Sequence, residues 1–297
     1  MVPGVIVPLV GAIIAGVIAW KAIGPSQKGA DAAVSAEERE KDKEKEEEEK
    51  EAGPPISATV GFPAYYPSRY AFPGRTADLG VANKFGYGTE EFSDWFSGNG
   101  GRAVGLDSVR FTVTPLHKGT VIVQGMRVVG VQCTPTKFDG TAFVPPPIGD
   151  GGDEVEPVDV AFDLTERVPQ PRTIKNAQNV GGVNEAGEPA GEVWHLGGRA
   201  FSKGIYLDGG ESPDSRAFDV YFFTGGKDCE FGVELNVTSD GTDDWYPVKL
   251  TTQGYRASLA GQAMSYRSVV EGVSDTQNEL YGPGYPFTPI TVKKERL

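Results

Sequence analysis

The chain has 297 residues, of which 39% are hydrophobic, and its formal net charge is −13. This length and apolar content are sufficient for a domain with a core, so global disorder is excluded. The acidic balance argues against nucleic acid as a partner, because phosphate neutralisation requires a surplus of lysine and arginine. Two cysteines exclude a cysteine-rich zinc module, and 40 glycines with 22 prolines favour many turns between short strands.

Residues 2–23 predict a single transmembrane helix, which makes the lipid bilayer the first expected partner. Their uncharged run, "VPGVIVPLVGAIIAGVIAW" at 2–20, has nineteen residues, close to the length that crosses a bilayer core. A cleaved signal peptide fits less well, because no basic residue precedes the run. The small residues Gly11, Ala15 and Ala19 recur at every fourth position, a spacing that would let two such helices pack as a homodimer.

Residues 24–56 predict a charged spacer. Within them, "EEREKDKEKEEEEKE" at 37–51 contains ten acids, five bases and no apolar side chain, so it cannot enter a core. Opposite charges four residues apart, such as Glu37 and Lys41, each add about 0.2–0.5 kcal/mol to a solvated helix. The spacer is predicted to be helical or disordered and to hold the next domain away from the membrane.

Residues 57–290 predict one all-β domain, because short alternating runs are separated by Gly, Pro, Asp and Asn. Residues 57–105 form an irregular, aromatic- and proline-rich first part. Residues 106–260 are predicted to form the core of an antiparallel β-sandwich or jelly-roll-like domain. The predicted strands are "SVRFTVT", "TVIVQG", "MRVVGVQC", "DVAFDL", "AFSKGIYLD", "RAFDVYFFTG", "CEFGVELNVTS" and "WYPVKL". Residues 145–157 and 175–192 are predicted to be surface loops or disorder.

The first part contains "FPAYYPSRYAFPGR", whose prolines exclude a regular helix. Its tyrosines Tyr65, Tyr66 and Tyr70 have two interpretations. They wrap an edge of the domain, or they form an aromatic surface on which a sugar or a peptide stacks. One turn of helix is expected around residues 90–96 and another within residues 258–272.

Cys133 and Cys229 both lie in apolar, strand-like surroundings. They are either two buried small hydrophobic residues or the partners of one disulfide, and the sequence leaves both interpretations open. A mass difference of about two daltons between native and reduced chains distinguishes them, since disulfide formation removes two hydrogens.

The stretch "KDCEFGVELNVTSDGTDDW", residues 227–245, concentrates acidic side chains around an Asp-Gly pair. Asp-Gly between two alternating runs predicts a hairpin turn, because glycine accepts a positive φ angle. Asp240, Asp243 and Asp244 are nevertheless candidates for a metal site, since calcium binds carboxylate oxygens. The EF-hand spacing is absent, and the alternative is that these acids are solvated.

Catalytic residues are not predicted. His117 and His195 are the only two histidines, and neither lies in a recognisable catalytic context, so both are interpreted as structural. The nucleophile elbow, the phosphate-binding loop and histidine metal motifs are absent, and no cofactor is expected. The chain is therefore predicted not to be an enzyme. The alternative is a cell-surface hydrolase that acts on carbohydrate through paired carboxylates.

Three stretches carry a resemblance to a known group of proteins: "GTVIVQGMRVVGVQCTP", "GGRAFSKGIYLD" and "SRAFDVYFFTGGKDCEFGVELNVTSDG". Over residues 120–260 the chain resembles the C-terminal β-rich domain of actinobacterial single-pass membrane proteins to which no activity is assigned. Some of those proteins have a helix-turn-helix before the membrane helix; this sequence lacks it, so a role in transcription is unsupported. The resemblance implies an architecture and an extracytoplasmic β-domain.

The favoured hypothesis is a membrane-anchored protein whose extracytoplasmic β-sandwich is a non-catalytic binding module for a cell-envelope protein or glycan. A cytoplasmic orientation is the alternative, because Lys21 and Lys28 follow the apolar run. An enzyme predicts a deep cleft with two convergent acids, whereas a binding module predicts a shallow aromatic or flat surface.

Overall fold

The computed structural model describes residues 39, 41–43, 45, 51–61, 69–74, 89–144, 156–179, 191–210, 212–251, 254–274, 277–281 and 290–296. The predicted membrane helix at 2–23 lies outside these residues, as do Tyr65 and Tyr66. In the described part of the chain, no helix is long and apolar enough to cross a membrane.

The chain divides into two compact units, Met1–Gly53 and Pro54–Leu297. In the first unit, residues 39, 41–43, 45 and 51 are helical, which is one of the two states predicted for the spacer.

The second unit is mostly β, as predicted, with seventeen strands and one helix among the described residues. In chain order they are β1 (Ile56–Val60), β2 (Tyr70–Phe72), α1 (Glu90–Gly98), β3 (Arg102–Ala103), β4 (Leu106–Pro115), β5 (Thr120–Pro135), β6 (Thr141–Val144), β7 (Val158–Asp163), β8 (Arg172–Asn179), β9 (Glu192–Arg199), β10 (Ile205–Asp208), β11 (Arg216–Phe223), β12 (Lys227–Ser239), β13 (Thr242–Val248), β14 (Arg256–Leu259), β15 (Ser268–Ser274), β16 (Gln277–Tyr281) and β17 (Ile290–Lys294).

The strands form three sheets. Sheet I has the order β1-β4-β11-β7-β8-β9-β17, sheet II the order β10-β5-β12-β13 with β14 also paired to β12, and sheet III the order β16-β15-β6-β2-β3. Sheet II is antiparallel, as predicted, whereas sheets I and III are mixed: β7 runs parallel to β11, β6 to β15 and β9 to β17. Each of these pairs joins strands far apart in the chain, and long connections permit parallel pairing where a tight hairpin does not.

The main core lies between sheets I and II, which pack face to face as a sandwich. The inward side chains of β11 and β12 follow the alternation expected of strands. They are Phe218, Val220 and Phe222 on β11, and Phe231, Val233, Leu235 and Val237 on β12. The ring centroids of Phe222 and Phe231 are 4.5 Å apart across the interface. Burial of one such side chain contributes about 1.5–3 kcal/mol, so this interface is the main source of stability.

Helix α1 packs against sheet III and buries the aromatic residues near it. The Thr89 side chain caps the helix by accepting a hydrogen bond from the Phe92 N–H at 3.3 Å. Phe96, one turn beyond Phe92, stacks on Tyr70 with a centroid distance of 4.5 Å. Tyr70 is only 8% exposed, so it is a core residue and does not belong to an aromatic binding surface. The reason is that β2 lies inside sheet III, between β3 and β6.

Strand β5 is one strand of sixteen residues, where the sequence predicts two. Its register against β12 slips twice, between Val123 and Gly125 and between Val129 and Gln132, and a glycine, Gly125 or Gly130, lies at each slip. Gly130 has a φ of 57°, which glycine adopts readily. Each slip inserts one residue and reverses the alternation, so the inward positions of β5 change parity twice. They are Val121, Val123, Met126, Val128, Val131 and Cys133.

The predicted Asp-Gly hairpin joins β12 to β13. Ser239 pairs with Thr242, which leaves a two-residue turn. Asp240 and Gly241 have φ angles of 50° and 75°, and positive φ at both central residues is what a type I′ turn requires.

The loop predicted over residues 175–192 is wrong at both ends, because β8 continues to Asn179 and β9 begins at Glu192. The β8 sequence, "RTIKNAQN", is polar and lacks an alternating pattern, yet the strand pairs with β7 and β9 on its two sides. Backbone hydrogen bonds form regardless of side-chain polarity, so such a strand gives little signal in the sequence. Sheet I also extends beyond residues 106–260, since β1 and β17 are its edge strands.

Cys133 and Cys229 are joined by a disulfide, with a Cα–Cα distance of 4.2 Å. They are direct cross-strand neighbours on β5 and β12, and Cys229 is fully buried. The bond links two strands separated by 96 positions in the chain.

Reduction of this disulfide is expected to lower the free energy of unfolding by about 4–5 kcal/mol, because it releases a closed loop of about 100 residues in the unfolded chain. Urea unfolding with and without reductant measures the change. The Cys133→Ala/Cys229→Ala variant is the control and should show no response to reductant. An unchanged midpoint for wild-type protein with two free thiols would contradict the expectation.

Candidate binding face

The outer face of sheet II points away from the core and combines aromatic, amide, hydroxyl and charged side chains. Its residues come from β10, β5, β12 and β13, and each alternates with an inward residue of the same strand. The face consists of Ile122, Gln124, Arg127, Tyr206, Glu234, Asn236, Thr238, Asp243 and Trp245.

One row of this face crosses four strands. Tyr206 pairs with Ile122, Ile122 with Thr238, and Thr238 with Asp243. Neighbouring strands are about 4.8 Å apart, so the row is about 14 Å long. The Thr238 hydroxyl donates a hydrogen bond to the Asp243 carboxylate. Tyr206, at the β10 end of the row, is 68% exposed.

Trp245 is held by an arginine on the same face. The Arg127 guanidinium carbon lies 3.9 Å from the centroid of the Trp245 ring. Its Nε and Nη2 atoms donate to Glu234 Oε2 at 2.9 and 2.6 Å. A cation over an exposed indole contributes about 0.5–1 kcal/mol, and here the ion pair also fixes the guanidinium. The indole is therefore partly exposed and positioned before any ligand arrives.

Asn236 lies at the centre of the face, between Gly125 and Trp245 in the strand register. Its Oδ1 atom is buried and has no hydrogen-bond partner among the described residues. An unsatisfied buried acceptor is unfavourable by about 1–3 kcal/mol. Rotation about the last side-chain bond turns either the oxygen or the amide nitrogen outward, so Asn236 has hydrogen-bonding capacity left for a ligand.

The three candidate metal ligands do not converge. Asp240 Oδ2 lies 3.5 Å from His117 Nδ1, Asp243 accepts a hydrogen bond from Thr238, and Asp244 accepts one from the next backbone N–H at 2.7 Å. Asp243 and Asp244 are consecutive residues of β13 and point to opposite faces. Asp240, Asp243 and Asp244 therefore do not form one metal site together.

The structure brings together His117, Ser239 and Asp240, the residue types of a nucleophilic triad. His117 Nδ1 is 2.8 Å from Ser239 Oγ and 3.5 Å from Asp240 Oδ2, so the same nitrogen contacts both partners. A triad requires one imidazole nitrogen for the serine and the other for the acid. Ser239 is also only 7% exposed. Ser239 and Asp240 therefore do not form a triad with His117 in this arrangement.

A pair of neighbouring carboxylates lies on the outer face of sheet I. Arg110, Asp219 and Asp159 occupy one row across β4, β11 and β7. Arg110 Nε and Nη2 donate to the two Asp219 oxygens at 2.6 and 2.7 Å. Partial burial, together with the adjacent Asp219 carboxylate, raises the pKa of Asp159, while Arg110 opposes the change. Two carboxyl groups are therefore adjacent in this row, and Arg110 binds the one on β11.

Asp107 is a carboxyl group on the inner face of sheet I, beside Phe222 of the neighbouring strand. Burial raises its pKa to about 7, although a 2.9 Å hydrogen bond from the Ser108 N–H opposes the increase. In the unfolded chain an aspartate ionises near pH 4. Between these values the folded state holds a proton that the unfolded state has lost, so the stability falls as the pH rises.

Comparisons of the chain with protein-family models, with curated proteins and with solved structures found no match.

The Asp107→Asn variant and the wild type are expected to have nearly the same free energy of unfolding near pH 4. At pH 8 the variant is expected to be more stable by up to about 4 kcal/mol, because the pKa of Asp107 is about 7 in the folded state and about 4 in the unfolded chain. An amide cannot ionise, so the cost of a buried charge disappears. Urea unfolding of both proteins across this pH range measures the difference between them, which cancels the contributions of other titrating groups. A difference that does not vary with pH would contradict the expectation.

Proposed function

We propose that this chain is a membrane-anchored binding module and that the outer face of sheet II binds a glycan of the cell envelope. The observation that carries the proposal is the placement of two aromatic rings, Tyr206 and Trp245, on either side of a polar strip. Sugar rings present apolar C–H faces that stack on aromatic side chains and hydroxyl groups that bond to amides and carboxylates. The face offers both kinds of contact.

The spacing of the rings suits an extended ligand. Tyr206 lies on β10 and Trp245 on β13, three strand spacings apart, and Trp245 is also two residues along its strand from the row that contains Tyr206. This gives a separation of roughly 15 Å, the length of a short oligosaccharide. Between them lie Asn236 and Thr238, whose side chains can donate to and accept from hydroxyl groups.

The shallow shape of the face supports binding rather than turnover. A pleated sheet face leaves the ligand open to solvent, whereas catalysis benefits from a cleft that excludes water. The ion pair between Arg127 and Glu234 stiffens the face, which reduces the entropy lost when a ligand is ordered on it.

The membrane anchor and the extracytoplasmic position belong to the same proposal. The apolar run at 2–20 has the length of a membrane-spanning helix. The Cys133–Cys229 disulfide supports a position outside the cytoplasm, because cytoplasmic thiol systems keep most cysteines reduced.

The Trp245→Ala and Tyr206→Ala variants are each expected to weaken binding to isolated cell-wall polysaccharide by at least about tenfold, since one lost stacking contact of about 1.4 kcal/mol has that effect. Co-sedimentation with the insoluble polysaccharide measures the affinity. Tyr255→Ala is the matched control, because Tyr255 is 51% exposed and lies outside the face. Equal losses in all three variants, or none, would contradict the assignment of the face.

The hydrolase alternative has one observation in its favour, the adjacent Asp159 and Asp219 carboxyl groups, of which Asp159 has a raised pKa because of burial and the neighbouring carboxylate. The same polysaccharide incubations test it. If the wild type releases soluble reducing sugar and the Asp159→Asn variant does not, the chain is a hydrolase and the proposal of a non-catalytic binding module is wrong.

Protease added to intact protoplasts is expected to remove the β-domain while leaving a membrane-bound fragment. An extracytoplasmic domain is accessible, and the uncharged run at 2–20 would retain the N-terminal part in lipid. Immunoblotting of the membrane fraction measures the outcome, with a cytoplasmic protein as the control for leakage. Complete protection of the domain would establish the cytoplasmic orientation instead.

A further inference from the structure

A recess lies at the end of sheet I formed by β8, β9 and the edge strand β17. Its volume is about 130 Å³, enough for a few water molecules or one compact oxyanion. The residues that line it are Lys175, His195, Leu196, Lys293, Lys294 and Glu295. Three lysines against one glutamate make this a basic site on a chain whose net charge is −13.

The charges behind the recess neutralise one another. Lys294 donates to Asp163 Oδ2 at 2.6 Å and to Glu166 Oε1 at 3.0 Å. Arg172 Nη2 also donates to Glu166 Oε1, at 3.2 Å. Burial alone would raise the pKa of Asp163, but hydrogen bonds from Lys294 and Thr165 hold it below its usual value. Two acids are thus matched by two bases, and this network contributes no net charge.

The front of the recess keeps an excess of positive charge. Lys175 pairs with Glu295 at 2.5 Å. Lys293 and His195 are cross-strand neighbours on β17 and β9, and neither side chain has a hydrogen-bond or ion-pair partner among the described residues. One ammonium group and one imidazole with unused donors therefore meet at the same opening.

We propose that this recess binds a phosphate group, either free or carried by a larger molecule. The Lys293 ammonium supplies the unpaired charge and the His195 ring supplies a second donor. Lys175 can exchange its contact with Glu295 for a phosphate oxygen, because both are anionic acceptors within its reach. The recess is on a different sheet from the proposed glycan face, so the two proposals are tested separately.

Isothermal titration of the full chain in neutral detergent with inorganic phosphate, at constant ionic strength, is expected to show saturable binding. Lys293→Ala should weaken the binding by about tenfold. Glu295→Gln should strengthen it several-fold, because it removes the one acid among the described residues that line the recess, while the backbone carbonyl of residue 295 still accepts from Arg172. Lys203→Ala is the matched control, an exposed lysine outside the recess, and should bind like the wild type.

A second titration with glycerophosphoglycerol, a phosphodiester, distinguishes the sources of the phosphate. Binding of both ligands supports a phosphate group within a polymer or lipid head group, and binding of inorganic phosphate alone supports the free ion. The proposal is overturned if neither ligand binds saturably, or if Lys293→Ala and Lys203→Ala weaken binding equally. Trp245→Ala should leave phosphate binding unchanged, so failure of the glycan face does not affect this test.

Discussion

The face-to-face contact of β11 with β12 is the interaction on which the rest of the structure depends. Both strands are interior members of their sheets, β11 between β4 and β7 and β12 between β5 and β13. Phe222 and Phe231 meet across the interface, and the disulfide at Cys229 ties β12 to β5 two residues from Phe231. With one face of β12 committed to the core, its other face is directed outward, and the candidate glycan site follows from that constraint.

The strands that form this core were predictable from the sequence, because burial on one face enforces alternation. β4, β7, β11 and β12 all show the period of two, and the Asp-Gly turn gave the hairpin after β12. β8 was not predictable, since its polar sequence contains no buried stripe. The parallel pairs could not be predicted from the sequence either, because they depend on which distant strands become neighbours rather than on any local pattern.

The candidate site was predictable only in its components. Trp245 and Glu234 lie on predicted strands, but the contact of Arg127 with both depends on the register of β5 against β12 and of β12 against β13. The burial of Tyr70 was not predictable, because the prolines near it indicate a surface segment and the helix Glu90–Gly98 that packs on it is distant in the sequence. The basic recess was missed for a different reason: Lys175 lies more than one hundred positions before Lys293 and Lys294, and only the pairing of β8 with β9 and of β9 with β17 brings them together.

The two bulges of β5 act on this strand as compensating frameshifts. Before the first bulge the odd-numbered residues of β5 point inward, and after it the even-numbered residues do, so Arg127 points outward beside Trp245. After the second bulge the odd-numbered residues point inward again, so Cys133 faces Cys229. A deletion at either bulge alone would misdirect every side chain beyond it until the next irregularity. A deletion at one bulge of β5 is therefore tolerable only if the other bulge is deleted as well. The outward position of Arg127 and the disulfide at Cys133 are in this way linked through the length of one strand.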